Sequence, residues 1–233
     1  MSSNAITTSG NKPYHFVSRL LAVLTFGMAS ASVQAAVLYS QLPENDVNAW
    51  RSQSDCGTAP CATYDDFLFA NGATITDVHW VGAYSFLGTL PVPSPTQFKL
   101  TFWQDDNGQP GASITTRTIA GDAGQAGSRT CIVATATCFD YSFDPISPFV
   151  ADAGTRYWLS IVADLEDQAW YWATGSSGNG ISYQDFAGTR DELKDDMAFA
   201  LTGGGRVVPE PATLALLGLG LAGLGFSRRR KQM

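Results

Sequence analysis

Histidine is almost missing from this chain: of two in 233 residues, only His79 lies outside the first thirty-five. A single histidine in a strand-like run beside Trp80 is ordinarily a packing or surface residue, and no G-x-S-x-G elbow stands anywhere to suggest a Ser-His-Asp arrangement. Basic side chains are also scarce where they would matter. Lys12, Arg19, Arg228, Arg229, Arg230 and Lys231 sit at the two ends, so residues 36–206 hold eight Lys and Arg against twenty Asp and Glu, a net charge of −12. That balance repels nucleic acid and anionic lipid, and no basic footprint for a nucleic-acid partner exists. The same stretch contains no amphipathic helix of ten residues and no internal repeat, which removes helical bundles, solenoids and propellers. What is left is about 170 residues, enough for one domain with a real core.

Both ends read as addresses. Lys12, His15 and Arg19 precede the apolar run Leu20–Ala29, and small residues around Val33-Gln34-Ala35 offer a cleavage site before Ala36, so residues 1–35 are predicted to be a secretory signal peptide removed by signal peptidase. At the other end Val207-Val208-Pro209-Glu210-Pro211 leads into the apolar run Ala212–Phe226 and then Ser227 and the basic stop Arg228, Arg229, Arg230 and Lys231. Fifteen residues of helix span roughly 22 Å against a hydrocarbon core of about 30 Å, which permits entry into a bilayer but makes a poor permanent anchor. The basic cluster stays cytoplasmic, which places everything before Pro209 across the membrane. The two prolines keep the approach to Ala212 extended and accessible. Gly218-Leu219-Gly220-Leu221-Ala222-Gly223 satisfies a dinucleotide-binding pattern on paper, but no strand precedes it and the chain ends ten residues later. A buried helix of the domain is disfavoured because Thr213 is the only polar side chain in the run.

This ending resembles the PEP-CTERM sorting signal of Gram-negative, exopolysaccharide-producing bacteria, with Pro209, Glu210 and Pro211 carrying the resemblance. It implies export, transient residence in the inner membrane, and processing near the motif by an exosortase, an integral-membrane cysteine transpeptidase. It implies a final place at the cell surface or outside the cell. The segments Tyr64-Asp65-Asp66-Phe67, Ile75–Trp80, Trp170–Thr174 and Asp196–Gly203 also resemble those of uncharacterised exported proteins with the same tail, a likeness that implies no activity.

Cys56, Cys61, Cys131 and Cys138 lie in the exported part as two close pairs. Three connectivities exist; an oxidising compartment favours two local disulfides, Cys56 with Cys61 and Cys131 with Cys138. A four-thiolate zinc site is the rival, with spacings that are loose for zinc.

The domain's patterning is all-β. Ile75–Val81 is rich in β-branched and aromatic residues; Phe98, Leu100 and Phe102 alternate on one face of a strand that runs into the turn chemistry of Asp105–Gly111 and resumes as Ile114–Ile119. Tyr157, Leu159, Ile161 and Ala163 share one face of a further strand, with Trp158, Ser160 and Val162 on the other. Val37–Tyr39 and Phe67–Phe69 read as early strands, and Met197, Phe199 and Leu201 as the last, before Gly203–Gly205 opens a linker. The expected architecture is a β-sandwich of jelly-roll type over residues 36–202, a linker over 203–208 and the sorting signal with a short transmembrane helix over 209–233.

Sites are harder to read. Trp158, Trp170 and Trp172 cluster in sequence, and tryptophans on a rigid sheet give flat faces on which sugar rings stack; the competing fate of such rings is the sandwich core. Asp105-Asp106-Asn107 has oxygens for calcium but lacks EF-hand spacing, so no cofactor is expected beyond that loop, and an ordinary turn is the alternative. Scattered Asp and Glu are mostly solvation, although a glycosidase pair could hide among them. The expectation is a non-catalytic, exosortase-sorted surface or matrix protein associated with exopolysaccharide; a lectin-like carbohydrate-binding module and a carbohydrate-active enzyme are the alternatives.

Overall fold

The computed structural model describes residues 36–43, 48–57, 59–84, 94–130, 137–143, 147–165 and 168–205. The expected signal peptide, the sorting signal with its apolar run and basic stop, and Cys131 lie outside them. Among the described residues there are fifteen strands and no helix. In chain order these are β1 (Ala36–Pro43), β2 (Ala49–Arg51), β3 (Ala62–Leu68), β4 (Ala73–Tyr84), β5 (Gln97–Asp106), β6 (Gln109–Ala120), β7 (Ala126–Thr130) and β8 (Thr137–Phe143). They continue with β9 (Phe149–Ala151), β10 (Arg156–Asp164), β11 (Trp170–Ser176), β12 (Ser182–Phe186), β13 (Thr189–Leu193), β14 (Asp196–Met197) and β15 (Phe199–Gly205).

Two antiparallel sheets form a β-sandwich. One has nine strands in the order β14-β11-β1-β15-β4-β8-β7, with β2 beside β11 and β9 beside β4; the other runs β13-β12-β3-β10-β5-β6. The alternation read from the sequence decides which side chains meet between them. From the six-stranded sheet come Phe67, Phe98, Leu100, Phe102, Leu159 and Ile161, and from the nine-stranded sheet Ile75, Val78, Trp80, Tyr141, Phe199 and Leu201, in a single buried cluster. Ring contacts stitch the layers: Phe102 stacks on Phe149 at 4.2 Å, and Phe98 sits edge-on to both Trp80 at 5.2 Å and Trp170 at 5.3 Å. At roughly 1.5–3 kcal/mol for each large apolar side chain buried, this cluster dominates the stability of the domain.

Three expectations change here. The glycines predicted to open a linker are sheet: β15 pairs through Gly205 with Ala73 of β4, and Gly203 also faces Ala36 of β1. The β4 ladder along all three glycines, with β1 beside Gly203, supplies the order that side chains do not. The turn predicted over Asp105–Gly111 shrinks to Asn107-Gly108, both with positive φ (55° and 85°), the geometry of a two-residue hairpin turn, so β6 begins at Gln109 rather than Ile114. Met197 belongs to the short β14 and Phe199 to β15, because Ala198 hands the chain from β11 to β1 and β4, donating its N–H to Ala173 O.

A candidate functional face on the six-stranded sheet

The side of the six-stranded sheet that faces away from the core is not a plain solvated surface. Tyr64 on β3, Trp158 on β10 and Tyr183 on β12 form their own buried cluster, with Trp103 of β5 packed half-buried against it. Trp158 meets Tyr183 edge-on at 5.4 Å, and Tyr64 meets Trp103 edge-on at 5.4 Å. Register shifts flank Trp103 on β5, and such bulges bend and twist the strand that carries them. The hairpin tip is tied back accordingly: Trp158 Nε1 donates to Asp105 Oδ1 at 2.9 Å.

Arg190 on β13 completes the closure. Its guanidinium holds both oxygens of Asp185, at 2.7 and 2.8 Å, lies 5.1 Å from the Tyr64 ring centre and donates to Pro110 O at 2.7 Å. Since β13 and β6 are opposite edges of this sheet, one arginine bridges them and the sheet is curled. Tyr64 OH donates to Asp185 Oδ2 at 2.8 Å. Burial works against the Asp185 charge, but hydrogen bonds from Arg190 and Tyr64 outweigh it and hold the carboxyl below the usual range. Burial, with Asp185 beside it, pushes the Tyr64 phenol up.

A second polar group fills the seam between the sheets. Asp65 is fully buried; Oδ1 accepts from Asp66 N at 2.7 Å and Oδ2 from Met197 N at 2.5 Å. The Gln41 amide is oriented with its nitrogen donating to Asp65 Oδ2 at 2.7 Å and its oxygen accepting from Tyr39 OH at 2.7 Å, the arrangement that satisfies every group. Desolvation raises the Asp65 carboxyl well above its ordinary value, Asp66 and Asp196 adding to the effect. Asp66, also raised by desolvation, keeps Arg156 Nε at 3.1 Å and both oxygens on Asn179 Nδ2. The alternation Tyr64-Asp65-Asp66-Phe67 placed one carboxylate on each face, but nothing in the sequence showed that the inward one would meet backbone donors of β14.

The sequence-based candidates land as follows. Trp158, Trp170 and Trp172 are all fully buried, which corrects their expected role as exposed stacking platforms. Trp170 and Trp172 share a strand face as expected, but it is the core face: Trp172 Nε1 donates to Ala198 O at 3.0 Å, and Trp170 covers Gly82. Trp158, on the opposite face of its own sheet, is covered by the bent hairpin. The ring left accessible there is Trp103, which the sequence reading did not single out; its Nε1 donates to Ser160 Oγ at 2.9 Å. The calcium candidate is a turn whose oxygens are used, Asp105 by Trp158 Nε1 and Gly108 N, and Asp106 by Asn107 Nδ2. Among the described residues no three His, Cys, Asp or Glu side chains gather as metal ligands.

Cys56 and Cys61 form a disulfide, and Cys138 is disulfide-bonded as well, while its expected partner Cys131 is outside the described residues. His79 lies on the outer face of the nine-stranded sheet, Nε2 at 2.7 Å from Asp77 Oδ2, beside a shallow groove of about 340 Å³. Ser142 stands opposite it in the ladder, and no hydrogen bond joins those two side chains.

Residues 207–231 match the PEP-CTERM protein-sorting motif, which makes this β-sandwich a surface protein sorted by exosortase. Residues 37–200 match a domain of unknown function (DUF7901), and the chain belongs to that family. No curated protein matches the chain.

Proposed function

We propose that the protein is a non-catalytic surface or matrix component that lies in contact with exopolysaccharide. The observation that carries this reading is how its acidic groups are used. Three carboxylates on the six-stranded sheet, the kind of group a glycosidase would hold open toward a sugar, are closed by protein donors: Asp65 by Met197 and Asp66 N–H groups, Asp66 by Arg156 and Asn179, Asp185 by Arg190 and Tyr64. These groups brace a rigid, disulfide-linked sandwich suited to a place outside the cell.

A lectin-like reading has one observation in its favour, the half-buried Trp103 on the curled face, beside Tyr64 and two positions from both Asp105 and Thr101. Native electrophoresis of the exported protein through gels containing the producing cell's exopolysaccharide tests both. Retardation without release of reducing ends is expected. Retardation abolished by Trp103→Ala at unchanged melting temperature would favour the lectin-like module. Release of reducing ends would favour an enzyme, and migration identical to that in plain gels would sink the association.

A further inference from the structure

The folded domain stops almost where the sorting motif begins. Gly205 is still paired with Ala73, and the motif match starts at residue 207. Pro209 is four residues beyond Gly205, at most about 14 Å of fully extended chain. Any enzyme that grips Pro209-Glu210-Pro211 must therefore abut the end of the sandwich from which β15 emerges.

That end has an unusual surface. Leu68, Ile114 and Val150, exposed at 47%, 42% and 44%, line one groove of about 660 Å³ together with Asp105 and Arg156, over a floor of Phe149 and Tyr157. The groove adjoins the exit: Val150 pairs with Thr74 of β4, which on its other side pairs with Gly204 of β15, so Val150 is two strand spacings, about 10 Å, from the departing chain. Val37, 66% exposed, lies across from Thr202 at the same end. Convergent exposed aliphatics around a concavity are a usual mark of a protein contact. A bilayer is the weaker occupant, because the domain's net charge of −12 opposes anionic lipid and the one cation in the lining, Arg156, is already held by Asp66.

We infer that this groove is a docking surface for the sorting enzyme, taking an apolar ridge flanked by basic side chains while the motif beyond Gly205 occupies the enzyme's site. The sandwich thus contributes to its own recognition, and the motif does not act alone.

The test is a pulse-chase of the full-length chain in exosortase-competent cells, following conversion of precursor to processed protein. Leu68→Glu with Val150→Glu is expected to lengthen the conversion half-time at least about fivefold. Leu42→Glu with Phe186→Glu, also exposed apolar residues but at the opposite end, is expected to stay within about twofold of the parent. Melting temperature of each exported variant verifies folding, and the milder pair Leu68→Asn and Val150→Thr replaces the first if that one fails to fold. Unchanged conversion in a folded groove variant overturns the inference, as does equal slowing in the opposite-end control. Groove-dependent flotation with phosphatidylethanolamine and phosphatidylglycerol vesicles lacking the enzyme also overturns it, in favour of a membrane surface. If the parent chain itself shows no exosortase-dependent conversion, the inference falls together with the sorting assignment, whereas the outcome of the exopolysaccharide gels leaves it untouched.

Discussion

Gly82→Ala should be among the most damaging single-methyl additions in this protein. A Cβ built on Gly82 would fall 2.3 Å from Cζ2, 2.5 Å from Cε2 and 2.6 Å from Nε1 of Trp170. Relief requires the indole to retreat by about 1 Å or more, since carbon atoms in contact prefer about 3.5–4.0 Å. Its surroundings resist that movement: Phe98 and Tyr141 meet it edge-on at 5.3 and 6.1 Å, and Trp170 N donates to Gln53 Oε1 at 2.9 Å. Overpacking in a dense core costs about 1–3 kcal/mol, and a rigid ring held on several sides puts this case near the top of that range. For a domain of this size, about 3 kcal/mol lowers the melting temperature by roughly 6–12 °C. Trp170→Phe removes Cζ2, the nearest of the three clashing atoms, so Gly82→Ala should cost at least about 1 kcal/mol less in that background, a coupling that a double-mutant cycle by urea denaturation resolves. A shift below about 2 °C for Gly82→Ala, or strict additivity with Trp170→Phe, would mean that the indole does not lie on Gly82.

Asp185→Asn should destabilise by about 1–2 kcal/mol at neutral pH, the bidentate Arg190 contact being discounted for its one-third exposure. Because the folded carboxyl titrates below its unfolded value, that contribution is present above about pH 4 and lost as pH falls through the folded value, so acid melting curves of parent and variant should converge. Peptide mapping without reduction should show no free thiol, with Cys56 joined to Cys61 and Cys131 to Cys138; Cys56→Ser with Cys61→Ser should cost about 2 kcal/mol, the loop-closure value for so short a separation, read by denaturant midpoint. A bond from Cys56 to Cys131 would refute the pairing. Intact-mass analysis of extracellular material should give a chain beginning at Ala36 and lacking the run after Pro211; stable full-length Ala36–Met233 in membranes of exosortase-competent cells would show a plain anchor instead.

The parts legible without coordinates were those governed by local rules. Period-two alternation placed Phe98, Leu100 and Phe102, and Tyr157 through Ala163, on their correct faces, because a strand's side chains alternate whatever it pairs with. The sorting ending was legible for the same kind of reason: a rigid motif, an apolar run and a basic stop act through their order along the chain. Alternation also put Trp170 and Trp172 on one face but could not say whether that face met the other sheet or water. Glycines 203–205 read as linker because sequence shows their lack of side chains and not the β4 ladder that holds all three, with β1 on the other side of Gly203.

Tertiary structure alone decided what depends on distant partners. Asp65 is a buried brace only because Met197, 132 residues later, brings a backbone N–H to it. Trp158 is covered because bulges around Trp103 fold a hairpin back, and the two edges of the six-stranded sheet are bridged by Arg190 and Pro110, 80 residues apart. The exit groove collects Leu68, Ile114 and Val150 from three strands. The chain by itself determined the faces of its long alternating strands and its sorting ending, because those follow from neighbours in sequence; which aromatic is core, which carboxylate is closed and which apolar residues converge beside the sorting motif depend on pairing across long separations, which local pattern does not encode.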